Sequence, residues 1–220
     1  LNENGCSSFF RRSHQRGRHP WAVKIIGLTG SIGMGKSTAA TMMKSMRIPV
    51  FDADKAVHSL MDPHGQAFSI LAQRFPKAVG PDGINRQTLG ELVFGDARAL
   101  ADLEGILHPM VRRLRQSFLR SHALRRTRYV IMDVPLLFET GGDKSCDYIL
   151  VVTAPVFLQR QRVLSRAGMT AKKLVGILAR QLPDRDKQRQ ATRVITSGLG
   201  KRETWIKLRR VLRRKFSVGR

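Results

Sequence analysis

Apolar residues are concentrated in five short runs along the chain. Each run is nearly continuous in apolar residues, which is typical of strands buried on both faces of a parallel sheet. Between the runs, apolar positions recur at helical spacing, so strands alternate with helices. The pattern predicts an α/β protein in three layers, with helices on both sides of a five-stranded parallel sheet. The predicted strands are residues 24–29, 49–51, 129–132, 148–153 and 192–196.

Two long stretches between the predicted strands carry helices alone. Residues 55–128 have helical periodicity with turn signals around Pro63 and Pro81 and no strand-like run, which predicts a helical insertion that covers a substrate. Residues 168–190 form a second helical pair that breaks at Pro183. A helical pair in this position is expected to act as a lid over a bound ligand.

The first residues of the chain differ from the rest. Residues 1–22 are rich in Arg, Ser and Gly with little apolar periodicity, so we expect a disordered N-terminal extension, with residues 23–220 forming the folded domain. The two cysteines, Cys6 and Cys146, match neither a metal site nor a disulfide framework. No apolar run reaches membrane-spanning length. We therefore expect a cytoplasmic protein without a membrane partner, and a monomer is favoured.

The charge balance is strongly basic. The 40 Lys and Arg residues outnumber the 16 Asp and Glu residues and give a formal net charge of +24. Such an excess is compatible with nucleic-acid binding through phosphate contacts, and equally with a basic site for a small polyanion. Because the basic residues are dispersed and no aromatic residues alternate with them, the second interpretation is favoured and nucleic acid is an unlikely partner.

A phosphate-binding loop follows the first predicted strand. Gly30, Gly35, Lys36 and Ser37 fill the pattern G-x-x-x-x-G-K-[ST] between a strand and a helix. Glycines allow the backbone to bend so that several N–H groups converge on one anion. In this motif the Lys reaches the β- and γ-phosphates and the Ser hydroxyl binds Mg²⁺. The sequence therefore predicts a site for ATP and Mg²⁺.

Acidic residues follow two further predicted strands. Asp52 and Asp54 come after the second strand, and Asp133 comes after the third. Ligands of open α/β sheets bind at the carboxyl ends of the strands, where an Asp can accept a hydroxyl proton or hold Mg²⁺. We interpret Asp54 as the catalytic candidate and Asp52 as a supporting residue and helix cap. Asp133 is either a second Mg²⁺ ligand or a residue that caps a loop.

Basic residues provide candidate substrate contacts. Arg162 and Arg166 are four residues apart in a predicted helix, so they are expected to share one face and to meet one polyanion, unless that face is simply solvated. On the helical insertion, Arg112 either contacts an anionic substrate or belongs to a solvated helix face. His108, which precedes a proline, is either a structural hydrogen-bonding residue or a substrate contact.

Six segments of the sequence together resemble the dephospho-coenzyme A kinase family. The similarity runs from about residue 24 to residue 200 in the family's order and spacing. The phosphate loop is common to many kinases, whereas DAD followed by the HP and PLLFE segments is far more specific. The segments are LTGSIGMGKST (28–38), PVFDAD (49–54), LHPMVR (107–112), DVPLLFE (133–139), QRQRVLSR (159–166) and ARQLPDRDKQRQAT (179–192).

The resemblance implies a P-loop kinase fold and ATP-dependent phosphorylation of the ribose 3′-hydroxyl of dephospho-coenzyme A, the last step of coenzyme A synthesis. It maps the family's base onto Asp54 and its transition-state arginine onto Arg162, with Lys36 as the third catalytic residue. The alternatives are a nucleoside or nucleotide kinase of the same fold and, less favoured, a basic nucleic-acid-binding P-loop protein. The candidate substrate contacts are Asp52, Asp54, His108 and Arg112. The candidate ATP contacts are Ile32, Gly33, Met34, Gly35, Lys36, Ser37, Thr38 and Arg166.

Two segments differ from the family's usual pattern. Ser31 and Met34 stand in the loop where a glycine and a serine are common. After the last strand, Thr196, Ser197 and Gly198 replace a turn that usually contains asparagine.

Overall fold

The protein is built around a central sheet, seen in a computed structural model that describes residues 23–216 and, for residues 215–216, the backbone alone. The predicted extension, residues 1–22, lies outside the described residues. In chain order the strands are β1 (Lys24–Thr29), β2 (Val50–Asp52), β3 (Val79–Gly80), β4 (Gly83–Ile84), β5 (Tyr129–Asp133), β6 (Tyr148–Thr153) and β7 (Arg193–Thr196).

Helices connect most of these strands. Within residues 23–216, no helix is both long enough and apolar enough to cross a membrane. Two short 3₁₀ turns, Pro76–Ala78 and Gly142–Ser145, supplement the α-helices. The α-helices are α1 (Lys36–Ser45), α2 (Ala53–Met61), α3 (Phe68–Arg74), α4 (Arg86–Val93), α5 (Ala97–Leu124), α6 (Val156–Leu164), α7 (Ala171–Ala179), α8 (Asp184–Gln190) and α9 (Lys201–Phe216).

The central sheet has the order β2-β5-β1-β6-β7. β1 lies in the middle and pairs in parallel with both β5 and β6, and β6 pairs in parallel with β7. The carboxyl ends of β1 and β5 are aligned, because Leu28 lies opposite Asp133. This arrangement confirms the predicted α/β class with a five-stranded parallel sheet, and it places the loop after β1 at the centre of one edge of the sheet.

The core of the sheet is packed with side chains of β1 and its neighbours. Ile26 and Leu28 are completely buried, and they belong to one cluster with Met43 of α1 and Leu208 of α9. Burial of an aliphatic side chain of this size stabilises a fold by about 1.5–3 kcal/mol. The loop between β1 and α1 is thus held at both ends by buried elements.

The chain divides into two units. The helical unit comprises residues 52–121 and the sheet unit comprises residues 23–51 and 122–216. The helical unit contains α2, α3 and α4, and an ion pair joins Arg74 of α3 to Asp102 with 2.6 Å between Nη2 and Oδ2.

One expectation about the elements is wrong. The helical unit contains strands, since β3 and β4 form an antiparallel pair around the turn at Pro81. Strands of two residues are too short for an alternating pattern to show in the sequence.

Candidate active site

The loop between β1 and α1 depends on two glycines in left-handed conformations. Gly33 has φ 77° and Gly35 has φ 91°. A Cβ atom at Gly33 would lie 2.5 Å from Val163 Cγ2, and one at Gly35 would lie 2.8 Å from Ser197 Oγ. Other residues at these positions would therefore be strained and would also collide with the surrounding protein.

Hydrogen bonds hold the carbonyl groups of this loop from outside. Gln159 Nε2 donates to the Ile32 carbonyl at 2.8 Å, and Ser197 Oγ donates to the Met34 carbonyl at 2.7 Å. In a trans peptide the C=O group and the following N–H group point in opposite directions. The N–H groups of Gly33 and Gly35 therefore point away from Gln159 and Ser197, as an anion-binding nest requires.

The first turn of α1 adds further donors to the nest. Gly35 is the N-cap and has no side chain, so the first N–H groups of the helix are left without a cap. This helix end also carries a partial positive charge that favours a phosphate. The side chain of Ser37 is exposed there, whereas Thr38 is half-buried.

Two of the predicted ATP contacts use their N–H groups inside the protein. Ile32 N–H donates to Gln181 Oε1 at 3.1 Å, and Met34 N–H donates to the Ser31 carbonyl at 3.1 Å. These two amides are bonded to protein acceptors in this structure. The amides of Gly33 and Gly35 and the first turn of α1 are the donors best oriented for phosphate.

Lys36 forms a tight ion pair with the acidic residue at the end of β5. The distance from Lys36 Nζ to Asp133 Oδ1 is 2.7 Å, and the two side chains are 14% and 4% exposed. A shielded pair of this kind interacts more strongly than one at the surface. The sequence correctly placed a carboxylate beside the phosphate loop, and its partner here is the lysine of that loop.

Arg162 lies behind the loop and contacts it. Its Nη1 atom donates to Ser197 Oγ at 3.0 Å and to the Gly33 carbonyl at 3.4 Å, and its Nη2 atom donates to the Ser197 carbonyl at 3.1 Å. Helix α6 ends at Leu164, so Arg166 lies two residues beyond it with an exposed side chain, and a shared face with Arg162 stays a prediction.

The two acidic residues after β2 have different surroundings. Asp52 caps α2, since its Oδ1 atom accepts from Lys55 N–H at 3.1 Å, which confirms the expected cap. Asp54 lies in the first turn of α2 and is exposed. A carboxylate in this position is favoured by the helix dipole. The Asp54 side chain is thus accessible to a substrate.

His108 and Arg112 lie on one side of α5, together with Glu104, at helical spacing. Burial lowers the pKa of His108 below its usual value, Glu104 opposes this shift, and Arg112 adds to it. Arg112 itself is exposed. His108 is therefore mostly uncharged at neutral pH, and it can act there as a hydrogen-bonding group rather than as a cation.

Sequence reasoning missed the residues that hold the loop from behind. Gln159 and Gln181 lie within segments that resemble the family, and Ser197 lies in the turn after the last strand, yet no local pattern shows that their side chains contact the loop. The structure also accounts for Met34, where the family usually has serine. Its side chain is 2% exposed, and its sulfur accepts from Ala154 N–H at 3.1 Å.

The sequence is similar to proteins of known family. The family model described as Dephospho-CoA kinase matches residues 24–201. A dephospho-CoA kinase from Novosphingobium aromaticivorans is 50% identical over 180 residues, which cover 82% of this chain and 89% of that protein. One from Rhodospirillum rubrum is 53% identical over 187 residues, which cover 84% and 88% of the two chains.

Two solved structures have a fold similar to that of this chain. The structure of TT1252 from Thermus thermophilus superimposes with a TM-score of 0.76 and 33% identity, covering 88% of this chain and 98% of that one. The dephospho-CoA kinase from Campylobacter jejuni superimposes with a TM-score of 0.62 and 21% identity, covering 88% and 97% of the chains. The second match is evidence for the fold alone.

Proposed function

The chain belongs to the dephospho-CoA kinase family, and on this basis we propose which of its residues carry out the reaction. The reaction transfers the γ-phosphoryl group of ATP to the ribose 3′-hydroxyl of dephospho-CoA and gives CoA. The bond from the γ-phosphorus to the bridging oxygen breaks, a bond to the 3′-oxygen forms, ADP leaves, and the hydroxyl proton must be accepted.

The phosphate loop binds the polyphosphate of ATP. The observation that carries this proposal is the orientation of the loop peptides, in which carbonyls bond to Gln159 and Ser197 while the Gly33 and Gly35 amides point away. Preorganised amides of this kind stabilise negative charge without reorganising during the reaction. Ile32, Met34, Thr38 and Arg166 stay predicted ATP contacts, with Ile32 and Met34 acting through backbone geometry rather than through N–H donation.

Lys36 and Arg162 offset the charge that develops on the transferred group. Lys36 Nζ, held 2.7 Å from Asp133 Oδ1, is the charged donor that exchanges a carboxylate for phosphate oxygens when ATP binds. Arg162 contributes its charge from behind Gly33.

Asp54 is the general base and accepts the proton of the 3′-hydroxyl. Two observations support this role. The Asp54 side chain is exposed in the first turn of α2, and it is not used as the helix cap because Asp52 serves as that cap. Asp52, His108 and Arg112 are the predicted contacts of dephospho-CoA. Their chemistry suits a substrate that carries phosphates and hydroxyls.

A Mg²⁺ ion fits the oxygen donors of Ser37 and Asp133. Mg²⁺ prefers a few hard oxygen ligands together with water and substrate phosphates. An exposed hydroxyl at the start of α1 and a carboxylate beside Lys36 provide such ligands. When bound, the ion shields the phosphate charge during transfer.

The cytoplasmic location and the monomeric state stay predictions, as does closure of residues 168–190 as a lid.

The acceptor is tested by measuring ADP release from Mg²⁺-ATP with dephospho-CoA, nucleosides and nucleoside monophosphates in parallel. We expect turnover with dephospho-CoA to exceed that with the other acceptors by at least about a hundredfold, because the other acceptors lack groups that the predicted substrate contacts would bind. Phosphorus NMR of the product should show the new phosphate on the 3′-oxygen. Equal or faster turnover with a nucleoside monophosphate would identify a nucleotide kinase instead.

A further inference from the structure

Two glutamines bond to the two backbone groups of one residue in the phosphate loop. Gln181 Oε1 accepts from Ile32 N–H at 3.1 Å, and Gln159 Nε2 donates to the Ile32 carbonyl at 2.8 Å. Gln159 lies in α6 and is 4% exposed, whereas Gln181 lies between α7 and α8. The pair fixes both peptide planes beside Ile32, including the plane that carries Gly33 N–H.

Gln181 is itself held in place by a buried ion pair. The next residue, Leu182, donates its N–H to Glu139 Oε1 at 2.8 Å, and the same oxygen lies 2.8 Å from Lys187 Nζ. Lys187 is completely buried in α8. A buried lysine beside a carboxylate resists displacement, because separating the two would leave an uncompensated charge in a poorly solvated site.

Helix α8 is also bonded to the end of β6. Thr153 Oγ1 donates to Asp184 Oδ2 at 2.6 Å, and Gln188 Nε2 donates to the same oxygen at 2.6 Å. The segment that follows Gln181 is therefore bonded to β6 through Asp184 and to Glu139 through Leu182 and Lys187.

We propose that Gln181 is a positioning residue for phosphoryl transfer, which holds Ile32 so that the Gly33 amide faces the polyphosphate of ATP. The proposal rests on the proposed role of the loop in binding ATP, and it assigns to the α7–α8 connection a role in shaping that loop. Gln181 does not touch the phosphate. It acts through Ile32, and the Glu139–Lys187 pair keeps it in position.

The test measures binding of tripolyphosphate to the full chain by titration calorimetry. The Gln181→Met variant keeps the length of the side chain and removes its acceptor, so the Ile32 amide loses its partner. We expect the dissociation constant for tripolyphosphate to rise about fivefold to tenfold, the effect of one lost hydrogen bond. KM for ATP should rise by a similar factor, with little change in kcat at saturating ATP. Gln161→Met, an exposed change on α6, is the matched control and should alter neither quantity.

A second variant keeps the proposal testable if the Gln181→Met protein does not fold. Gln159→Met removes the other bond to Ile32 and is expected to weaken tripolyphosphate binding similarly. Because both glutamines hold one residue, the effects should not add in the double variant. Circular dichroism in the same buffer reports the folded fraction of each protein.

Unchanged or tighter tripolyphosphate binding by folded Gln181→Met protein would overturn the proposal, as would fully additive effects in the double variant. Failure of the wild-type protein to phosphorylate dephospho-CoA would instead contradict the proposed function. The two failures are thus distinguishable.

Discussion

Replacing Asp54 by asparagine is expected to lower kcat with dephospho-CoA by about 10²- to 10⁴-fold, the usual contribution of a general base. Asparagine has nearly the same shape but cannot accept the proton of the 3′-hydroxyl. Asp54 is exposed in the first turn of α2, so the change leaves no buried group unpaired. Initial rates at saturating ATP and dephospho-CoA measure the effect, and calorimetry with ADP should give an affinity close to that of the wild type.

Asp82→Asn provides the matched control for this variant. Asp82 is exposed in the turn between β3 and β4 of the same unit, and asparagine is well tolerated in turns. This control should retain wild-type kcat. If Asp54→Asn keeps more than about a tenth of wild-type kcat, Asp54 is not the base, since general bases usually contribute more than that.

Replacing Lys36 by methionine is expected to lower kcat by about 10²- to 10³-fold, as for the loss of one preorganised charge contact in other enzymes. Methionine fills similar volume but offers neither the charge nor the donors. The same change also removes the partner of the buried Asp133 carboxylate. Loss of one member of a buried ion pair costs about 3 kcal/mol of folding free energy, which urea unfolding would measure.

A second substitution separates the two consequences of losing Lys36. In the double variant with Asp133→Asn, the uncompensated charge is removed, so the free energy of unfolding should return toward the wild-type value. The rate should remain low, because Lys36 is still absent and the proposed Mg²⁺ ligand Asp133 is lost as well. Recovery of the rate together with stability would show that Lys36 serves the fold rather than the phosphoryl group.

Most strands of the central sheet and the phosphate loop could be predicted from the sequence, because each is marked by residues that are close together in the chain. Strands β1, β5 and β6 are continuous apolar runs because they are buried on both faces, so their composition shows their position. The phosphate loop was predictable because its glycines, Lys36 and Ser37 are adjacent in the chain. The two-residue strands β3 and β4 were not predictable, because the alternation of apolar and polar residues that indicates a strand needs several residues to appear.

The supports of the loop could not be predicted in the same way. The bonds from Gln159, Gln181 and Ser197 to the loop span 127, 149 and 163 residues of the chain. Hydrogen bonds over such separations leave no periodic or local signal, and glutamine and serine are common on exposed helices and turns. The tertiary structure alone reveals which of them turn inward.

The central claim is that loop carbonyls bonded from outside leave the Gly33 and Gly35 amides to bind the polyphosphate. The most direct test is a titration of the ¹⁵N-labelled protein with Mg²⁺-ADP, followed by amide chemical shifts. We predict the largest downfield proton shifts at Gly33, Gly35 and Lys36, with Ile32 little affected because its N–H remains bonded to Gln181. Small shifts at the two glycines together with a large shift at Ile32 would contradict this account.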